Sequence, residues 1–562
     1  MMSLNRKGEY HLTAKDARNM MIILILYGIV SFFHLGSMEG AQTFWSTETQ
    51  GNEVILDLGE VREVAFLRQF TGARFGKYDL AISNDNINYS SLGELEQKKV
   101  FAWQDGEINQ SFRYLAIREH GKKGEIGEVA LYDKAGNRLN VIGLNEESQL
   151  LVDEQDVVPS EISYMNTTYF DEIYHARTAY EYIHGMKIYE WTHPPLGKLI
   201  MTIPIMIFGM TPFAYRVMGN LVGILMLMII YIFAKRMFKK TQYATFAMLL
   251  FAVDGVHFVQ TRIGTVDSYL VCFIMLAYLF MYQYICCDPD REPGKMHLNL
   301  LASGFFLGCA IATKWNGAYT AIGLAILFFI NFFKRSGQMR LSSKWRTHRK
   351  TIFWACFIYF ILIPVIIYIA SYIPDMMINP EVRTVKGFIA LQNKMYHYHS
   401  DLEATHPFSS PWYLWPLGVK PLWYYDGQVA EGMVSTITLH SNPFIWWTGI
   451  LAMLYFFIQS IIDRSKNYYF ISIAILAAYV PYVGIPRIMF LYHYFPVVPL
   501  MILAITGTIK DIEENLGQKN WWKWYAVIAT IMFFFFYPIY SGFLVPEWYA
   551  KLTEWLPVWQ LY

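Results

Sequence analysis

The chain has 562 residues, of which 54% are hydrophobic and 16% are charged, and its net charge is +1 with neutral histidines. Soluble domains carry about 25% charged residues, so this composition excludes an ordinary soluble enzyme and predicts an α-helical polytopic membrane protein. A net charge so close to zero gives no reason to expect nucleic-acid binding. The five cysteines lie in or beside apolar stretches without metal-ligand spacing, which predicts buried packing residues rather than a disulfide framework or a zinc site.

Residues 1–37 predict a short cytoplasmic N-terminus followed by a first transmembrane helix. Residues 1–18 are basic, and residues 19–36 form an apolar run just long enough to cross a bilayer. The basic flank places the N-terminus in the cytoplasm. A cleaved signal peptide is the alternative interpretation, but no convincing small-residue cleavage site follows Gly36, so an uncleaved helix is favoured.

Residues 38–158 are polar, rich in turn residues and alternating, which predicts an extracytoplasmic β-sandwich or jelly roll. Trp45 and the segments VILDLGE, YDLAISNDN, FAW, FRYLAIRE and GEVALYD resemble the discoidin, or coagulation-factor type C, module, a family often used to bind glycans or lipid head groups. Trp103 or Phe75 could hold a sugar, although core packing is the favoured interpretation.

Residues 159–212 predict an outer loop with surface helices, and its most reactive part is YFDEIYHARTAYEYIHGMKIYEWTHPPLGK. Thr168 lies three residues before Asp171, a spacing that predicts a helix start there, and Gly185 predicts its end. Asp171 is then expected to share a helix face with His175, Thr178 and Tyr182. A capping role is the alternative interpretation of Asp171.

Residues 213–562 predict a multi-span transmembrane region that contains an outer loop over 374–441. The apolar run 199–208 is too short to cross a bilayer and predicts a surface helix. Together with the first helix, the predicted spans number about eleven and are 19–36, 213–234, 243–254, 266–284, 298–313, 317–333, 352–373, 443–461, 468–485, 488–508 and 524–541.

Charge bias between the spans predicts their orientation. The basic segments KRMFKK, 334–350 and 463–466 fall on the cytoplasmic side, which puts the C-terminus outside. The chain is thus predicted to be a multi-pass protein of the plasma membrane with an extracytoplasmic active site.

In this topology a group of polar and ionisable residues falls at the outer ends of spans or in outer loops. A transporter would more often carry such groups near the middle of the membrane and show an internal repeat, and neither is found. Any single Arg or Lys near a helix end can simply snorkel. The group comprises Asp171, Glu172, His193, Arg262, Asp267, Lys314, His440, Arg487 and His493.

A series of motifs in the same region resembles the protein O-mannosyltransferases, which use dolichyl- or polyprenyl-phosphate-mannose and have a GT-C membrane fold. The motifs are, in order, FDEIYH, THPPLGK, YRVMGN, TRIGTVDSYL, ATKWNGAY, ATHPFSSPWYLWP, HSNPFIWW and MFLYHYFP. In that family the acidic pair of the first outer loop carries catalysis, which implies Asp171 and Glu172 here. Eukaryotic members carry a β-trefoil module in the later outer loop, for which residues 379–440 are too few, so the chain resembles bacterial members more closely.

The expected chemistry needs a carboxylate to take the proton of the incoming hydroxyl, and positive charge to stabilise the departing phosphate. Asp171 is the candidate base, with Glu172 supporting it. Structural alternatives remain: Arg262 can pair with Asp267, Lys314 can mark the end of a span, and Tyr492 and His493 can pack. The donor-phosphate or substrate-binding candidates are Arg262, Asp267, Lys314, Arg487, Tyr492, His493, His193 and, in YRVMGN, Arg216.

The residues and the resemblance predict an inverting glycosyltransferase that moves mannose or another hexose from a polyprenyl phosphate to Ser or Thr of exported proteins. Its predicted partners are the lipid-linked donor, the exported polypeptide and membrane lipids. No obligatory cofactor is expected, although His175 and His193 leave a divalent metal possible. The alternatives are a GT-C transferase acting on a lipid or cell-wall glycan, as in the aminoarabinose transferases, and a membrane transporter or glycan receptor.

Overall fold

The computed structural model describes residues 12–46, 53–120, 124–338, 343–427, 430–463 and 465–562, which fall into two compact units. Unit 1 comprises the described residues of Met1–Phe33, Glu190–Ile200 and Gly219–Tyr562, and unit 2 comprises those of His34–Tyr189 and Met201–Met218. The basic residues that contributed to the topology prediction at positions 6, 7, 340 and 464 lie outside the described residues.

The α-helices of the described residues are numbered in chain order. They are α1 (Ala14–Phe32), α2 (Glu146–Gln149), α3 (Glu172–Ile183), α4 (Leu196–Phe208), α5 (Pro212–Phe238), α6 (Thr241–Ala252), α7 (Gly255–Arg262), α8 (Asp267–Cys286), α9 (Pro293–Thr313), α10 (Tyr319–Gln338), α11 (Ser343–Phe357), α12 (Ile363–Ser371), α13 (Ile373–Ile378), α14 (Val385–Ser400), α15 (Pro443–Ile462), α16 (Lys466–Tyr479), α17 (Val498–Leu516), α18 (Trp521–Ser541) and α19 (Glu547–Thr553).

Within the described residues, nine helical runs are long and apolar enough to cross a membrane, which makes the protein multi-pass. They are Pro212–Phe238, Asp267–Cys286, Pro293–Thr313, Trp315–Gly337, Trp345–Ser371, Pro443–Ile462, Lys466–Gly484, Leu491–Leu516 and Trp521–Ser541. The runs that contain α8 and α17 are the most enclosed, whereas the run 345–371 is mostly exposed on the surface of unit 1.

The predicted count of about eleven spans differs from this set at two places. The helix α1 forms, but Lys15, Asp16 and Arg18 lie in its first turns, so it is not among the nine apolar runs. The predicted span 243–254 is instead the first half of a helix pair, α6 and α7, bent by 59°. The bend lies at Asp254, because its carboxylate accepts the His257 N–H at 3.0 Å and starts a new helix there. The pair makes a tenth crossing if it is one broken span.

Unit 2 contains the predicted β domain as an antiparallel sheet curled around an apolar core. Its strands pair in the order β1-β6-β2-β5-β3-β4, with β7 against β2. The long strand β2 shifts register between Asp57 and Arg62 and again between Val64 and Phe66, which allows it to bend around the core. The strands are β1 (Trp45–Ser46), β2 (Glu53–Thr71), β3 (Lys77–Ser83), β4 (Ser90–Glu96), β5 (Trp103–Glu119), β6 (Glu125–Tyr132) and β7 (Ile142–Gly143).

The aromatics of this sheet support the packing interpretation. Trp45 is fully buried in the core, and the Trp103 ring is buried 5.1 Å from the Phe70 ring. Phe75 is half-buried. The resemblance of the unit to discoidin modules stays a prediction.

The stretch 374–441, predicted as an outer loop, is largely folded in unit 1. It contains α13, α14 and the strands β8 (Leu422–Gly427) and β9 (Met433–Leu439). With β10 (Val545–Pro546), these strands form an antiparallel sheet in the order β10-β9-β8. His440, predicted to join the group of outer ionisable residues, is instead fully buried with its ring 4.2 Å from the Trp559 ring.

Candidate active site

The acidic pair of the sequence prediction begins α3 in unit 2. The helix starts at Glu172, and Asp171 occupies the N-cap position without making a side-chain capping hydrogen bond. Thr168 does not cap the helix as predicted, because its hydroxyl donates to the Val100 carbonyl at 2.6 Å. Gly185, with φ +62°, follows the helix end as predicted. The capping alternative for Asp171 is therefore not supported by the geometry of its carboxylate.

The residue before Asp171 adopts an unusual backbone conformation. Phe170 has φ +48°, in the left-handed region that costs a residue with a side chain roughly 1–2 kcal/mol. Such strain concentrates at functional sites, where the surrounding structure holds it in place. Asp171 is half-buried at this turn.

Glu172 has a fully buried guanidinium partner. Arg216 Nε and Nη2 donate to its two carboxylate oxygens at 2.7 and 2.8 Å, and neither side chain is exposed to solvent. The remaining N–H groups of Arg216 donate to the carbonyls of Leu35, Tyr164 and Thr167. All five N–H donors of the guanidinium are thereby used inside unit 2. Arg216, predicted to bind substrate, is placed instead to brace the chain around the start of α3.

In unit 1, the THPPLGK motif is held by a buried lysine. Lys198 is 1% exposed, and its ammonium group donates to the carboxylate and carbonyl of Glu190 and to the His193 carbonyl. The other Glu190 carboxylate oxygen lies 3.1 Å from His193 Nδ1. Burial lowers the pKa of His193 despite the opposing charge of Glu190. Lys198 was not among the predicted site residues, although the quoted motif THPPLGK contains it.

A cavity of about 390 Å³ in unit 1 brings together four of the predicted site residues. His193, Lys314, Arg487 and His493 come from three separate parts of the sequence and line the same space. Tyr492 lies beside it, with its ring 4.9 Å from Lys314 Nζ. The other lining residues are Thr192, Trp315, Asn316, Tyr319, Tyr396, His399, Ser400, Tyr482, Gly484, Ile485, Pro486 and Met489.

Asp267 and Lys314 form an ion pair at the edge of this cavity. Asp267 is the first residue of α8, Lys314 follows the end of α9, and their charged groups are 2.9 Å apart. Arg262 is not among the described residues that line the cavity. It is 5% exposed and donates to the Ser31 and Phe33 carbonyls near the end of α1. The structure thus places Lys314 and Asp267 at the site and gives Arg262 a structural contact.

Arg487 is held by a histidine that sequence reasoning missed. Its Nη1 donates to His399 Nδ1 at 2.9 Å, and His399 Nε2 donates to the Thr192 carbonyl at 2.7 Å. These two bonds require a neutral imidazole with its proton on Nε2. Burial, reinforced by the nearby cations, lowers the pKa of His399 to about 4, which agrees with that form. The sequence HYHS at the end of α14 carries no motif that could have identified His399.

A second, more open cavity of about 720 Å³ adjoins the first in unit 1. It lies between residues 404–412 and residues 483–489, and Arg487 lines both cavities. Arg487 is therefore accessible from both cavities.

Groups of acidic and imidazole side chains close enough to hold a metal ion occur in the β region of unit 2. Among the described residues these groups are Asp79 with Glu94 and His120, and Glu128 with Asp153 and Glu154. Neither contains Asp171, His175 or His193.

Comparison with known families covers most of the chain after residue 157. Residues 158–378 match the family described as dolichyl-phosphate-mannose-protein mannosyltransferase, and residues 384–559 match the C-terminal four-transmembrane region of protein O-mannosyltransferases. Neither match extends into the β domain at residues 38–157.

Curated relatives and one solved structure agree with these matches. The chain is 23% identical over 457 residues to the polyprenol-phosphate-mannose–protein mannosyltransferase of Mycolicibacterium smegmatis, covering 70% of this chain and 88% of that protein. The Mycobacterium tuberculosis protein of the same name is 24% identical, with 70% and 87% covered. The S. cerevisiae protein O-mannosyltransferase Pmt1-Pmt2 complex bound to the sugar donor has a TM-score of 0.62 at 14% identity, covering 70% of this chain and 89% of that chain, which shows a shared fold. These similarities confirm the predicted GT-C-type fold and the resemblance to bacterial members.

Proposed function

Because the chain belongs to the protein O-mannosyltransferase family, we propose that it moves mannose from a polyprenyl phosphate to Ser or Thr hydroxyls of exported proteins. The reaction forms a bond between the acceptor oxygen and the anomeric carbon while the bond from that carbon to the phosphate oxygen breaks. The bonding electrons leave with the lipid phosphate, and the hydroxyl proton passes to a carboxylate. A single displacement of this kind inverts the anomeric centre.

The cavity that contains Lys314 and Arg487 is the observation that carries the proposal. Its volume of about 390 Å³ falls in the range of small-molecule sites, and its two cations suit one anionic phosphate with an uncharged sugar attached. A pair of opposite charges 4 Å apart gains about 1 kcal/mol in water and about 4 kcal/mol at an effective dielectric of 20. Aromatic rings around the cavity exclude water and lower the effective dielectric constant. The attraction between the two cations and the departing phosphate is therefore stronger there than in water.

Asp171 is the proposed general base. It follows a strained left-handed residue, and its carboxylate is not used to cap α3. Glu172 and Arg216 act as positioning residues that brace the turn from which Asp171 projects. A lipid phosphate is a weak base when it leaves, so it needs positive charge rather than a proton donor.

His399 is a further positioning residue in this proposal. It accepts one N–H of Arg487 and thereby fixes the orientation of the guanidinium, while its own N–H is bound to the Thr192 carbonyl. Because the ring is neutral, Nδ1 carries no proton and can accept the Arg487 N–H. His493 lines the cavity, and the ring of Tyr492, also predicted to bind the donor or substrate, stacks on it at 4.5 Å.

The proposal includes the orientation predicted from the basic segments, with the N-terminus in the cytoplasm and the active site and C-terminus outside the plasma membrane. A polyprenyl-phosphate donor suits this arrangement, because its tail stays in the bilayer while its sugar reaches the acceptor. Residues 38–158 would then lie on the same side as the acceptor.

The test is transfer of labelled mannose from polyprenyl-phosphate-mannose in proteoliposomes that contain the purified chain. Label should appear in a Ser/Thr peptide and be absent from the same peptide with each hydroxyl residue replaced by Ala. The Asp171→Asn protein, prepared in parallel, excludes a contaminating transferase. Label that enters only an added glycan or lipid acceptor would favour the glycan-acceptor alternative. Donor movement across the membrane without any new glycosidic bond would favour a transporter.

A further inference from the structure

We infer that α14 is an interfacial helix whose exposed apolar stripe lies in the surface of the membrane. The stripe consists of Val385 and Ile389, whose exposed fractions are 77% and 52%. At 3.6 residues per turn, a position four residues after Val385 falls within about 40° of it on the helix. The two large side chains therefore form one apolar stripe a single turn long.

The side of α14 that adjoins the stripe accounts for its packing on the protein. Met395 is buried, and Phe388 packs edge-on against Tyr372 with ring centroids 5.2 Å apart. Gln392 accepts a hydrogen bond from the Tyr368 hydroxyl at 2.6 Å. The exposed stripe is thus additional to the face that holds the helix on unit 1.

The contacts of α14 indicate that lipid covers the stripe. Tyr368 lies in the apolar run Trp345–Ser371, and Tyr372 follows directly after it. A helix that packs on the end of a spanning run lies at the level where that run leaves the bilayer. The run carries its own exposed apolar residues on the same stretch, including Ile366 at 55% and Ile369 at 45%. Exposed apolar residues therefore occur both on the last turns of the span and on the helix that packs against its end.

The charge of α14 is also that of a helix seated in lipid head groups. Its sequence, VKGFIALQNKMYHYHS, contains two lysines and no acidic residue. Interfacial helices combine an apolar face with Lys or Arg on the polar side, which attracts anionic head groups. Lys386 is exposed one position after the start of the stripe, and Arg383 is exposed just before the helix.

This placement would connect the membrane surface to the cavity. The last turn of α14 carries His399, which bonds to Arg487 and to the Thr192 carbonyl. The bilayer would then help to hold the helix that positions Arg487. The lipid contact itself does not depend on the proposed transferase activity.

The test is photocrosslinking of the full chain in vesicles that contain radiolabelled phosphatidylcholine and phosphatidylglycerol. A benzophenone side chain is placed at Ile389 in one variant and, as the matched control, at Ala390 one position away on the polar side. We expect several-fold more labelled lipid on the Ile389 variant, and the same from a third variant modified at Val385. Equal lipid labelling at 389 and 390 would overturn the inference. Crosslinking of the Ile389 variant to a second copy of the chain would also overturn it, because the stripe would then be a protein interface.

Discussion

Two arginines of this chain, both predicted to bind the donor or substrate, have opposite surroundings. Arg216 in unit 2 is fully buried and uses every N–H group on Glu172 and on three backbone carbonyls. Arg487 in unit 1 is half-buried, lines two cavities and is held through one N–H by a neutral histidine. The same side-chain chemistry is thus used for bracing in one unit and is available to a ligand in the other.

The difference shows that the role of a charged residue depends on which of its hydrogen-bonding groups remain available once its contacts within the protein are made. A buried ion pair contributes little net stability compared with a well-packed apolar pair, but breaking it by removing one partner costs about 3–5 kcal/mol. Removing a cation from a cavity wall should change the free energy of unfolding little and should mainly weaken ligand binding. Substitutions at the two sites should therefore separate stability from donor binding.

The largest effect is expected at Asp171, beside the braced pair. Asp171→Asn keeps the size of the side chain and removes the proton acceptor, so transfer should fall by about 10²–10⁴-fold while donor binding is retained. Single-turnover transfer and equilibrium donor binding measure the two quantities. Glu172→Gln should reduce transfer less, together with stability. Residual transfer by Asp171→Asn equal to that of the wild type would remove Asp171 from the mechanism.

Removing one partner of the buried pair Glu172–Arg216 should lower the free energy of unfolding. Arg216→Met leaves the Glu172 carboxylate buried without its cation, and we expect a loss of about 3–5 kcal/mol in the stability of unit 2. Thermal unfolding of the purified protein in nanodiscs provides the measurement. The double variant Glu172→Gln/Arg216→Met should recover part of the loss, because no unpaired charge remains. An Arg216→Met protein of unchanged stability and raised donor KM would instead restore the predicted substrate role of Arg216.

At Arg487 we expect the opposite result, a change in donor binding without a change in stability. Arg487→Met should raise the donor KM by about tenfold, which corresponds to about 1.4 kcal/mol, and should leave the unfolding midpoint unchanged. The KM for the acceptor peptide serves as the internal control and should not move. Unchanged donor kinetics would exclude a phosphate role for Arg487.

A smaller effect is expected at His399, and two amide variants separate its two hydrogen bonds. His399→Asn can place a carbonyl oxygen where Nδ1 accepts from Arg487, whereas His399→Gln can place an N–H where Nε2 donates to Thr192. Donor KM should stay near the wild-type value in the Asn variant and rise by several-fold in the Gln and Ala variants. Equal values in all three would show that His399 does not position Arg487.

The smallest effect concerns Glu128 in unit 2, a buried carboxylate without a cation partner like that of Glu172. Burial raises the pKa of Glu128 to about 8 from an ordinary value of 4.5. The folded state therefore prefers the protonated acid, and the stability gained from it is complete below about pH 4.5 and is lost as the pH rises through about 8. Glu128→Gln imitates the protonated form, so its unfolding midpoint should exceed that of the wild type increasingly from about pH 4.5 to about pH 8. Parallel profiles would contradict this assignment.

The sequence by itself determined the class of the protein and much of its architecture. Spans such as Pro212–Phe238 can be predicted from sequence because a helix that crosses a bilayer must be a long apolar run. Such a run is recognised without knowledge of distant residues. The β domain is readable because alternation is a local pattern. The order of the motifs predicted the family, and the catalytic role proposed for Asp171 followed from that resemblance.

Only the tertiary structure decided which charges are paired and which face a cavity. Glu172 and Arg216 are 44 residues apart, and Asp267 and Lys314 are 47 apart, so no local pattern could join them. His399 lies 88 residues from Arg487 and belongs to no recognised motif. The same limit applied to Asp254, where a capping carboxylate at the end of the predicted span 243–254 starts a second helix, α7, bent by 59° from the first. Ion pairing, burial and helix breaks depend on residues that folding brings together from distant parts of the chain. A short stretch of sequence does not contain those partners, so these features cannot be predicted from it.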